Sequence, residues 1–562
     1  MEIKQTVLQW ENSKVVTQDL KDEIKQMNES ELEDAFYTNL SFGTGGMRGI
    51  MGAGNNRMNT IVISKATLGF ANYLLKNEEN AKEKGVVIAH DNRINNTLFR
   101  DATANVLTSL GIKVYIFDAL RPTPELSFAV RYLNASGGIN ITASHNPKEY
   151  NGYKIYNNEG NQLILKQSNL VMEEINKISN ILDLEFKGNP SLVHVLSSDI
   201  DNAYYQMVMD TSLNKEMDKS NLKIVYTPQH GTGYIPVTTV LKKMGYQVIE
   251  VKEQCFPNGE FINTLSPNPE EKKAYELAIQ YALKEDADLI CCNDPDCDRI
   301  GIVLFDKNKQ PVYMSGNQTG AILIQYLLSR RKELNILPKD GIMYNTIVSS
   351  PLGAKIASSF GVETQQTLTG FKYIGDKIAR AIENNGKKFM IGYEESYGYL
   401  INPSVRDKDG VQSAMLICEM ASYYKHMGKT LLDVYYEIQE KYGYHIESQY
   451  SFTATGISGV EKINQIMEKF RNAHLKTINN EKIEIFEDYM SLTKLTNGQL
   501  SALDYEQSNV LRFVFSDGSF VAIRPSGTEP KIKFYFAVCG KTMQLATKRH
   551  DEIKKEIIDF ID

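Results

Sequence analysis

The sequence predicts an α/β fold that is divided into several domains. Short apolar runs typical of buried strands, such as residues 86–89 and 114–117, alternate with segments whose apolar residues recur at helical spacing, such as residues 64–76. At 562 residues the chain is too long for one hydrophobic core, and about three to five domains are expected. Polar loops follow several of the strands, at the edge where open α/β sheets bind ligands.

The composition excludes two classes of partner. Hydrophobic residues make up 42% of the chain, and 62 Lys and Arg residues oppose 69 Asp and Glu residues. This balance argues against a nucleic-acid surface or a polybasic membrane patch, while a local cluster of cations could still hold an anionic substrate. The first residues lack the apolar core of a signal peptide, and no run of about 18 apolar residues predicts a membrane span. The six cysteines show no CxxC pairing, so we expect a cytoplasmic protein with reduced thiols.

Two features precede the first predicted sheet. Mixed charges up to about residue 40, with a capping-box pattern from Ser30 to Glu33, predict one or two surface helices. Residues 42–49 then place four glycines around Arg48. The backbone N–H groups of such a loop could approach an anion, with the guanidinium at its centre, and a plain flexible turn is the alternative. The loop fits neither a Walker motif nor the dinucleotide fingerprint.

A loop with the sequence Ile-Thr-Ala-Ser-His-Asn-Pro, residues 141–147, places a hydroxyl at a strand end. An apolar run over residues 138–141 predicts the end of a strand, and Asn146 with Pro147 signals a turn. Ser144 is therefore expected at the carboxyl edge of the sheet, where a reactive group would be placed. Taken alone, this is also the pattern of an inert loop serine.

Two cations near this loop have competing interpretations. Asn151-Gly152 is typical of a hairpin turn, which would bring Lys154 back towards Ser144, although a lone strand lysine is more often exposed. Arg93 follows the strand over residues 86–89 and is predicted to be a solvated loop cation.

The segment after the predicted strand over residues 287–292 carries three alternating carboxylates, Asp294, Asp296 and Asp298. Carboxylate oxygens are the ligands that Mg²⁺ prefers. The EF-hand pattern fails, because Arg299 stands where that motif requires glycine. A capped polar turn is the alternative, but carboxylates this close repel one another unless a cation compensates. The sequence predicts a metal site here.

Two later loops have the composition of sugar and phosphate sites. Glu394 and Ser396 follow a predicted strand among tyrosines, which suits a polyol, although a capped helix start among core tyrosines explains them equally well. Lys408 lies in a mixed-charge loop that would ordinarily be solvated. A compact anion cradle, with a hairpin turn as the alternative, is predicted from Arg524, Ser526, Gly527 and Thr528.

Together these loops resemble the α-D-phosphohexomutase family of phosphoglucomutases and phosphomannomutases. Four of its motifs occur in family order between Gly43 and Lys533: Thr-Ala-Ser-His-Asn-Pro, Asp-x-Asp-x-Asp-Arg, Gly-x-Glu-x-Ser and Arg-Pro-Ser-Gly-Thr-Glu-Pro. The resemblance implies four domains around a central cleft, three α/β domains with mixed sheets and a smaller C-terminal α+β domain with an antiparallel sheet. We expect domain I with the serine loop over residues 1–200, domain II with the metal loop over residues 201–313, domain III with the sugar loop over residues 314–440 and domain IV with the phosphate loop over residues 441–562.

The resemblance also implies a role for each site residue. Ser144 carries a phosphoryl group, and its phosphate holds one Mg²⁺ together with Asp294, Asp296 and Asp298. Arg48 and Lys154 match active-site cations, Lys408 matches an acid/base lysine, and Arg299 follows the metal loop. Glu394 and Ser396 bind sugar hydroxyls. The substrate's non-reacting phosphate is bound by Arg524, Ser526, Gly527 and Thr528.

The expected reaction interconverts glucose 1-phosphate and glucose 6-phosphate, with glucose 1,6-bisphosphate as intermediate and activator, in a monomer or homodimer. Tyr393, Tyr397 and Gly398 depart from the Gly-Glu-x-Ser-Gly-His pattern of bacterial phosphomannomutases, which favours the phosphoglucomutase-2-type branch. Phosphopentomutase and phosphomannomutase activities stay open. A serine phosphatase and a sugar-phosphate-binding protein without turnover are the more distant alternatives.

Overall fold

The computed structural model describes residues 2–40, 42–43, 46–384, 386–454, 457–526 and 531–561. The α/β class is confirmed, with an antiparallel sheet near the C-terminus. The chain forms two compact units. Unit one comprises Met1–Met314, Phe371–Gly386 and Tyr397–Tyr423, and unit two comprises Ser315–Gly370, Lys387–Ser396 and Tyr424–Asp562. Among the described residues, every helix is too short or too polar to cross a lipid bilayer.

Three helices, rather than one or two, precede the first sheet: α1 (Glu2–Asn12), α2 (Gln18–Gln26) and α3 (Glu29–Phe36). They are more than surface helices, because the Trp10 ring is buried against Phe36 at a centroid distance of 5.6 Å. The capping box is real but lies two residues earlier than predicted. The Asn28 side chain accepts from the Glu31 N–H at 3.0 Å, and Glu31 accepts from the Asn28 N–H at 2.8 Å.

The first sheet has seven strands, in the order β1-β2-β6-β5-β3-β4-β7. Its elements and flanking helices are β1 (Phe42–Gly43), β2 (Gly46–Ile50), α4 (Thr60–Asn77), α5 (Ala81–Lys84), β3 (Val86–His90), α6 (Asn96–Ser109), β4 (Val114–Ile116), α7 (Thr123–Tyr132), β5 (Gly137–Ile141), β6 (Tyr150–Asn157), α8 (Leu165–Asn176) and β7 (Val193–Val195). Strands β5, β3, β4 and β7 run parallel, and β6 is antiparallel to both β5 and β2.

The prediction of a turn at Asn151-Gly152 is wrong. Both residues lie inside β6 and pair with β2, and the turn of the β5–β6 hairpin is the Ser144 loop itself. A Cβ atom at Gly152 would lie 2.4 Å from the carbonyl oxygen of Thr142, so this glycine permits a close approach of two backbones. The hairpin still places Lys154, opposite Asn140, on the strand that returns from Ser144.

The second sheet has five strands, in the order β12-β11-β10-β8-β9. Its elements are α9 (Ser198–Asp210), β8 (Lys223–Thr227), α10 (Tyr234–Lys243), β9 (Gln247–Glu250), α11 (Glu276–Glu285), β10 (Leu289–Asn293), β11 (Ile300–Phe305) and β12 (Pro311–Met314). A 3-10 turn, Lys272–Tyr275, leads directly into α11.

The remaining elements belong mostly to unit two. Residues 316–442 form α12 (Gly316–Glu333), β13 (Gly341–Thr346), α13 (Pro351–Ser359), β14 (Glu363–Thr367), α14 (Phe371–Glu383), β15 (Lys388–Glu394), β16 (Gly398–Leu400), α15 (Gly410–His426) and α16 (Leu431–Tyr442). Strand β13 is parallel to both β14 and β15.

The C-terminal sheet is antiparallel, in the order β17-β24-β23-β22-β19-β20-β21. Its elements are β17 (Tyr444–Thr453), α17 (Ile457–Asn472), β18 (Thr477–Ile478), β19 (Glu481–Asp488), β20 (Thr493–Thr496), β21 (Gln499–Ala502), β22 (Leu511–Phe515), β23 (Phe520–Pro525), β24 (Lys531–Gly540) and α18 (Met543–Ile561). Residues of α17 and α18 share one buried cluster with the sheet, in which the Phe470 and Phe560 rings meet at 4.7 Å.

Candidate active site

Ser144 lies at the tip of the β5–β6 hairpin in a strained conformation. Its φ is +50°, its side chain is buried, and its N–H donates to Thr142 Oγ1 at 2.8 Å. Its hydroxyl donates to Asp294 Oδ2 at 2.6 Å. A non-glycine residue in the left-handed region is uncommon and persists only where neighbours hold it, which is typical of functional loops.

Two side chains flank the serine within its own sheet. His145 Nδ1 lies 3.1 Å from Ser144 Oγ, and Arg48 donates to the side-chain oxygen of Asn146 at 2.6 Å. Desolvation holds the pKa of His145 well below its usual range, reinforced by the positive charges of Arg299 and Arg48. The imidazole is therefore neutral at physiological pH. Thr44 and Gly45, in the loop before Arg48, lie outside the described residues.

The β10–β11 hairpin carries three buried carboxylates at its turn. One oxygen of each of Asp294, Asp296 and Asp298 lies within 4.8 Å of the other two. Asp296 Oδ1 and Asp298 Oδ1 are buried and have no hydrogen-bond partner among the described residues. Buried carboxylate oxygens left in this state are costly unless a cation binds them. The donor set, oxygen only, fits a hard divalent cation.

Three cations balance this charge. Lys154 Nζ lies 2.8 Å from Asp296 and 3.4 Å from Asp298, and Lys408 Nζ lies 3.1 Å from Asp298. Arg299 Nε lies 3.8 Å from Asp298. Its guanidinium also pairs with a glutamate, and its backbone N–H donates to Asp294 at 3.0 Å.

The carboxyl groups respond differently to this environment. Burial raises the pKa of Asp294 well above its usual value, and the charges of Asp296 and Asp298 reinforce it. Burial also acts on Asp298, but Lys408 and Lys154 outweigh it and lower the pKa of that carboxyl. For Lys154, burial is outweighed by the two aspartates, which raise its pKa. Without a metal, the carboxyl that accepts from Ser144 is thus the one that most favours a proton.

Thr123 is a site residue that sequence reasoning missed. The first residue of α7, it donates to Asp296 Oδ2 at 2.8 Å and accepts from the Asn140 amide at 2.7 Å. Its backbone N–H also donates to the Asp296 carbonyl at 2.9 Å. The only signal in the sequence is a Pro-Thr-Pro helix start after a strand, a pattern that carries no chemistry by itself.

The loop around Lys408 is buried rather than solvated, which corrects the interpretation of its mixed charges. Asp407 accepts from the Tyr156 hydroxyl at 2.8 Å and lies 3.3 Å from Lys408 Nζ. Asp409 caps α15 by accepting from two of its N–H groups and from the Tyr204 hydroxyl, each at 2.9 Å. The whole segment consequently has fixed partners.

Unit two carries the residues predicted to bind sugar and the second phosphate. Glu394 is buried at the end of β15 and accepts from the Gly370 N–H at 2.8 Å. Burial, reinforced by the charge of Glu394, raises the pKa of the adjacent Glu395 to about 7. Ser396 follows in the turn after β15.

The predicted phosphate cradle begins where β23 ends. Arg524 lies in β23, and the Ser526 N–H donates to the Lys531 carbonyl at 2.7 Å across the hairpin. Gly527 and Thr528 lie outside the described residues.

Sequence comparison identifies the protein as an isomerase that transfers a phosphoryl group. Sequence profiles of the phosphoglucomutase/phosphomannomutase family match its α/β/α domain I at residues 39–182, domain II at 202–307, domain III at 315–442 and its C-terminal domain at 467–555. The chain belongs to this family.

Curated relatives agree along nearly the whole chain. A phosphoglucomutase of Staphylococcus haemolyticus is 40% identical over 534 residues, covering 94% of each chain. A phosphoglucomutase of Staphylococcus epidermidis is 39% identical over 542 residues, covering 95% of this chain and 97% of the relative.

Solved structures show the same fold. The Paramecium phosphoglucomutase parafusin, in its open form, aligns with a TM-score of 0.67 at 19% identity, over 93% of this chain and 96% of its own. A phosphoglucomutase/phosphomannomutase family protein of Burkholderia thailandensis aligns with a TM-score of 0.65 at 17% identity, over 92% and 97%.

Proposed function

We propose that the protein is a phosphoglucomutase that interconverts glucose 1-phosphate and glucose 6-phosphate through a phosphoserine at Ser144. The observation that carries this proposal is the 2.6 Å hydrogen bond from Ser144 Oγ to a carboxylate of the buried aspartate triad. Phosphoryl transfer proceeds through a loose, anionic transition state, so positioned positive charge supplies most of the catalysis.

In the forward half-reaction the phosphoryl group leaves Ser144 for the 6-hydroxyl of glucose 1-phosphate. The P–Oγ bond breaks and Ser144 Oγ takes up a proton, while a bond from phosphorus to the sugar oxygen forms and the 6-hydroxyl proton passes to a base. Glucose 1,6-bisphosphate results, and in the second half its other phosphoryl group returns to Ser144. In that second half these proton transfers run in reverse, and the sugar's 1-oxygen takes up a proton as its phosphoryl group leaves. Lys154, Arg48 and Arg299 stabilise the serine-bound phosphate. The base that takes the 6-hydroxyl proton is assigned to Lys408, which must first lose its own proton.

Mg²⁺ is the cation that we propose for Asp294, Asp296 and Asp298. When bound, it supplies positive charge to the oxygens of the transferring group. The chain's own part is to present three carboxylates from one hairpin turn and to neutralise them with Lys154 and Lys408. The oxygen-only donor set supports Mg²⁺ over Zn²⁺, which favours nitrogen and sulfur ligands.

Recognition of the sugar and its second phosphate is assigned to unit two. Glu394 and Ser396 bind adjacent sugar hydroxyls, which exchange places when the bisphosphate turns around. The non-reacting phosphate is assigned to Arg524, Ser526, Gly527 and Thr528. Arg524 offers a bidentate donor and the loop offers short neutral donors, which together suit a phosphate dianion.

Intact-mass measurement tests the proposal. The purified protein is incubated with glucose 1,6-bisphosphate and MgCl₂, and we expect one stable phosphoryl group that maps to Ser144, and none in Ser144→Ala. Rapid loss of that group to water identifies a phosphatase instead. A protein that never acquires it, yet binds the bisphosphate, is a binding protein.

A panel of sugar 1-phosphates then tests the substrate. Glucose, mannose, ribose and deoxyribose 1-phosphates are supplied with catalytic hexose bisphosphate, and we expect the highest kcat/KM for glucose. A higher kcat/KM for a pentose phosphate would identify a phosphopentomutase.

A further inference from the structure

We infer that Arg93 is a positioning residue that holds the Ser144 loop in its reactive conformation. This inference rests on the proposed function, since it concerns how the phosphorylated serine is presented. Arg93 was predicted to be a solvated cation, but its side chain is buried, with 3% of the residue exposed. It lies three residues beyond β3, the strand beside β5 in the sheet.

The Arg93 guanidinium donates to four backbone carbonyls of the loop. Nη2 contacts the carbonyl oxygens of Ser144 and Asn146, each at 2.6 Å, and Nη1 contacts those of Pro147 and Tyr150, each at 2.8 Å. The Pro147 carbonyl also accepts from the Tyr150 N–H at 3.1 Å. The guanidinium adds donors for carbonyl oxygens that are costly to bury without a hydrogen bond, and it does so for four of them at once.

The arginine is itself held in place. Its Nε lies 3.4 Å from Asp91 Oδ2, its backbone N–H donates to Asp91 Oδ1 at 3.0 Å, and its guanidinium carbon lies 5.4 Å from the centre of the Phe261 ring. Asp91 in turn accepts from Thr142 Oγ1 at 2.6 Å, and this oxygen accepts from the Ser144 N–H. The Arg93–Asp91 pair thereby fixes the loop on both sides of Ser144.

The chemistry requires arginine in particular. The planar fork reaches four carbonyls at once, whereas a lysine ammonium is a point charge with one nitrogen and cannot span them. Ser144 has a φ of +50°, a conformation that residues other than glycine rarely adopt, so the surrounding structure must hold it there. Loss of the fork should let the loop relax and move Ser144 Oγ away from Asp294.

The test compares Arg93→Lys with Arg512→Lys in the full-length protein. Arg512 is a matched control, since it is also buried, pairs with Glu487 at 3.2 Å and stacks on Phe520 at 4.6 Å, but in the C-terminal sheet. Three quantities are measured: hydrogen exchange of residues 142–150 before phosphorylation, the rate of phosphoryl transfer from glucose 1,6-bisphosphate to Ser144, and KM for glucose 1-phosphate.

For Arg93→Lys we expect faster exchange at residues 142–150 and phosphoryl transfer slowed about 100-fold, the size of effect that an ångström of misplacement produces. KM should change by less than about threefold, because the lost interaction serves the transition state. For Arg512→Lys we expect hydrogen exchange, transfer rate and KM close to the wild-type values, once the transfer rate is expressed per folded molecule.

Unchanged exchange and transfer in Arg93→Lys would overturn the inference while the proposed function stands. A loss of activity that merely matches the fraction of unfolded protein would also overturn the inference, because any destabilised variant would show the same loss. Wild-type protein that acquires no phosphoryl group overturns the proposed function. The exchange measurement then decides the inference alone: faster exchange at residues 142–150 supports the hold on the loop, and unchanged exchange refutes it.

Discussion

At the scale of single residues, the Ser144 site is a set of buried charges that nearly cancel. Asp296 and Asp298 share Lys154, and Asp298 also pairs with Lys408. Removing one partner of a buried pair leaves an uncompensated charge, which costs far more than the net contribution of the pair. The cations beside the aspartates therefore matter for stability and for metal affinity as well as for turnover.

Lys154→Met should lower turnover and at the same time tighten divalent-metal binding. The methionine fills similar volume but leaves the aspartates with one positive charge fewer, so we expect the metal-free protein to lose about 3 kcal/mol of stability. Added MgCl₂ should restore more stability to the variant than to wild type. Urea unfolding with and without MgCl₂ measures this difference.

Lys177→Met is the matched control, because Lys177 is exposed and its partner Glu174 keeps a second ion pair with Lys76. Such pairs contribute about 0–1 kcal/mol, so its unfolding should match wild type in both buffers. Equal Mg²⁺ responses of Lys154→Met and wild type would contradict the assigned role of Lys154.

His445 predicts a dependence of stability on pH. Burial, reinforced by the nearby Lys355 ammonium, lowers the pKa of His445 from 6.5 to about 4. The folded protein therefore binds fewer protons than the unfolded chain between these values, and stability falls as the pH drops from about 6.5 to 4. The full effect of this shift is about 3 kcal/mol.

His445→Gln should flatten that part of the pH profile. Urea unfolding at pH 7.5, 6, 5 and 4 measures the free-energy difference between the variant and wild type, which should shift in favour of the variant as the pH falls. A difference that stays constant across the four pH values would refute the assignment.

At the scale of elements, two hairpins build the site, one carrying Ser144 and the other the three aspartates. The first strand of each hairpin was predictable from an apolar run that ends at turn residues, and α4 was predictable from the spacing of its apolar residues. The position of the first hairpin's turn was not predictable. Asn151-Gly152 has the sequence of a turn, but Gly152 lies in a strand and permits a close approach to the Thr142 backbone. Arg93, Thr123 and Lys408 could not be recognised as buried, because their partners lie far away in sequence.

Gly152→Ala should disrupt the serine hairpin. The added methyl group would lie 2.4 Å from the Thr142 carbonyl oxygen, which is backbone and cannot move without shifting the loop. We expect a destabilisation of about 1–3 kcal/mol and a marked loss of Ser144 phosphorylation, measured by urea unfolding and intact mass.

Gly49→Ala, on the neighbouring strand β2, is the control. Its methyl group would meet the flexible end of the Leu40 side chain at 3.0 Å, which can rotate away. The two alanine variants should therefore differ clearly in stability. Equal losses would show that strand glycines, and not the approach to Thr142, are responsible.

At the scale of the whole molecule, the proposed reaction divides between the units. The nucleophile, the triad and its cations belong to unit one, and the predicted sugar and phosphate loops belong to unit two. The motifs and their order were sufficient to predict the family and the four-domain class. The boundaries predicted after residues 200, 313 and 440 stay predictions.

Arg524→Ala should weaken substrate binding more than chemistry. Loss of the bidentate donor removes binding of the non-reacting phosphate in ground and transition states alike, so KM for glucose 1-phosphate should rise about 10- to 100-fold while kcat changes little. Steady-state kinetics measure both constants. Lys494→Ala, which removes another cation of the same sheet, should match wild type, and a fall in kcat alone for Arg524→Ala would argue against the assigned role.

The interleaving of the units has a consequence for how the protein is made. Unit one takes up Tyr397–Tyr423 after the chain has already contributed Ser315–Gly370 and Lys387–Ser396 to unit two. Lys408 belongs to that late segment and completes the charge balance of aspartates synthesised much earlier. Because synthesis proceeds from the N-terminus, Asp298 is made well before Lys408, and their ion pair can form only after the later segment has been added.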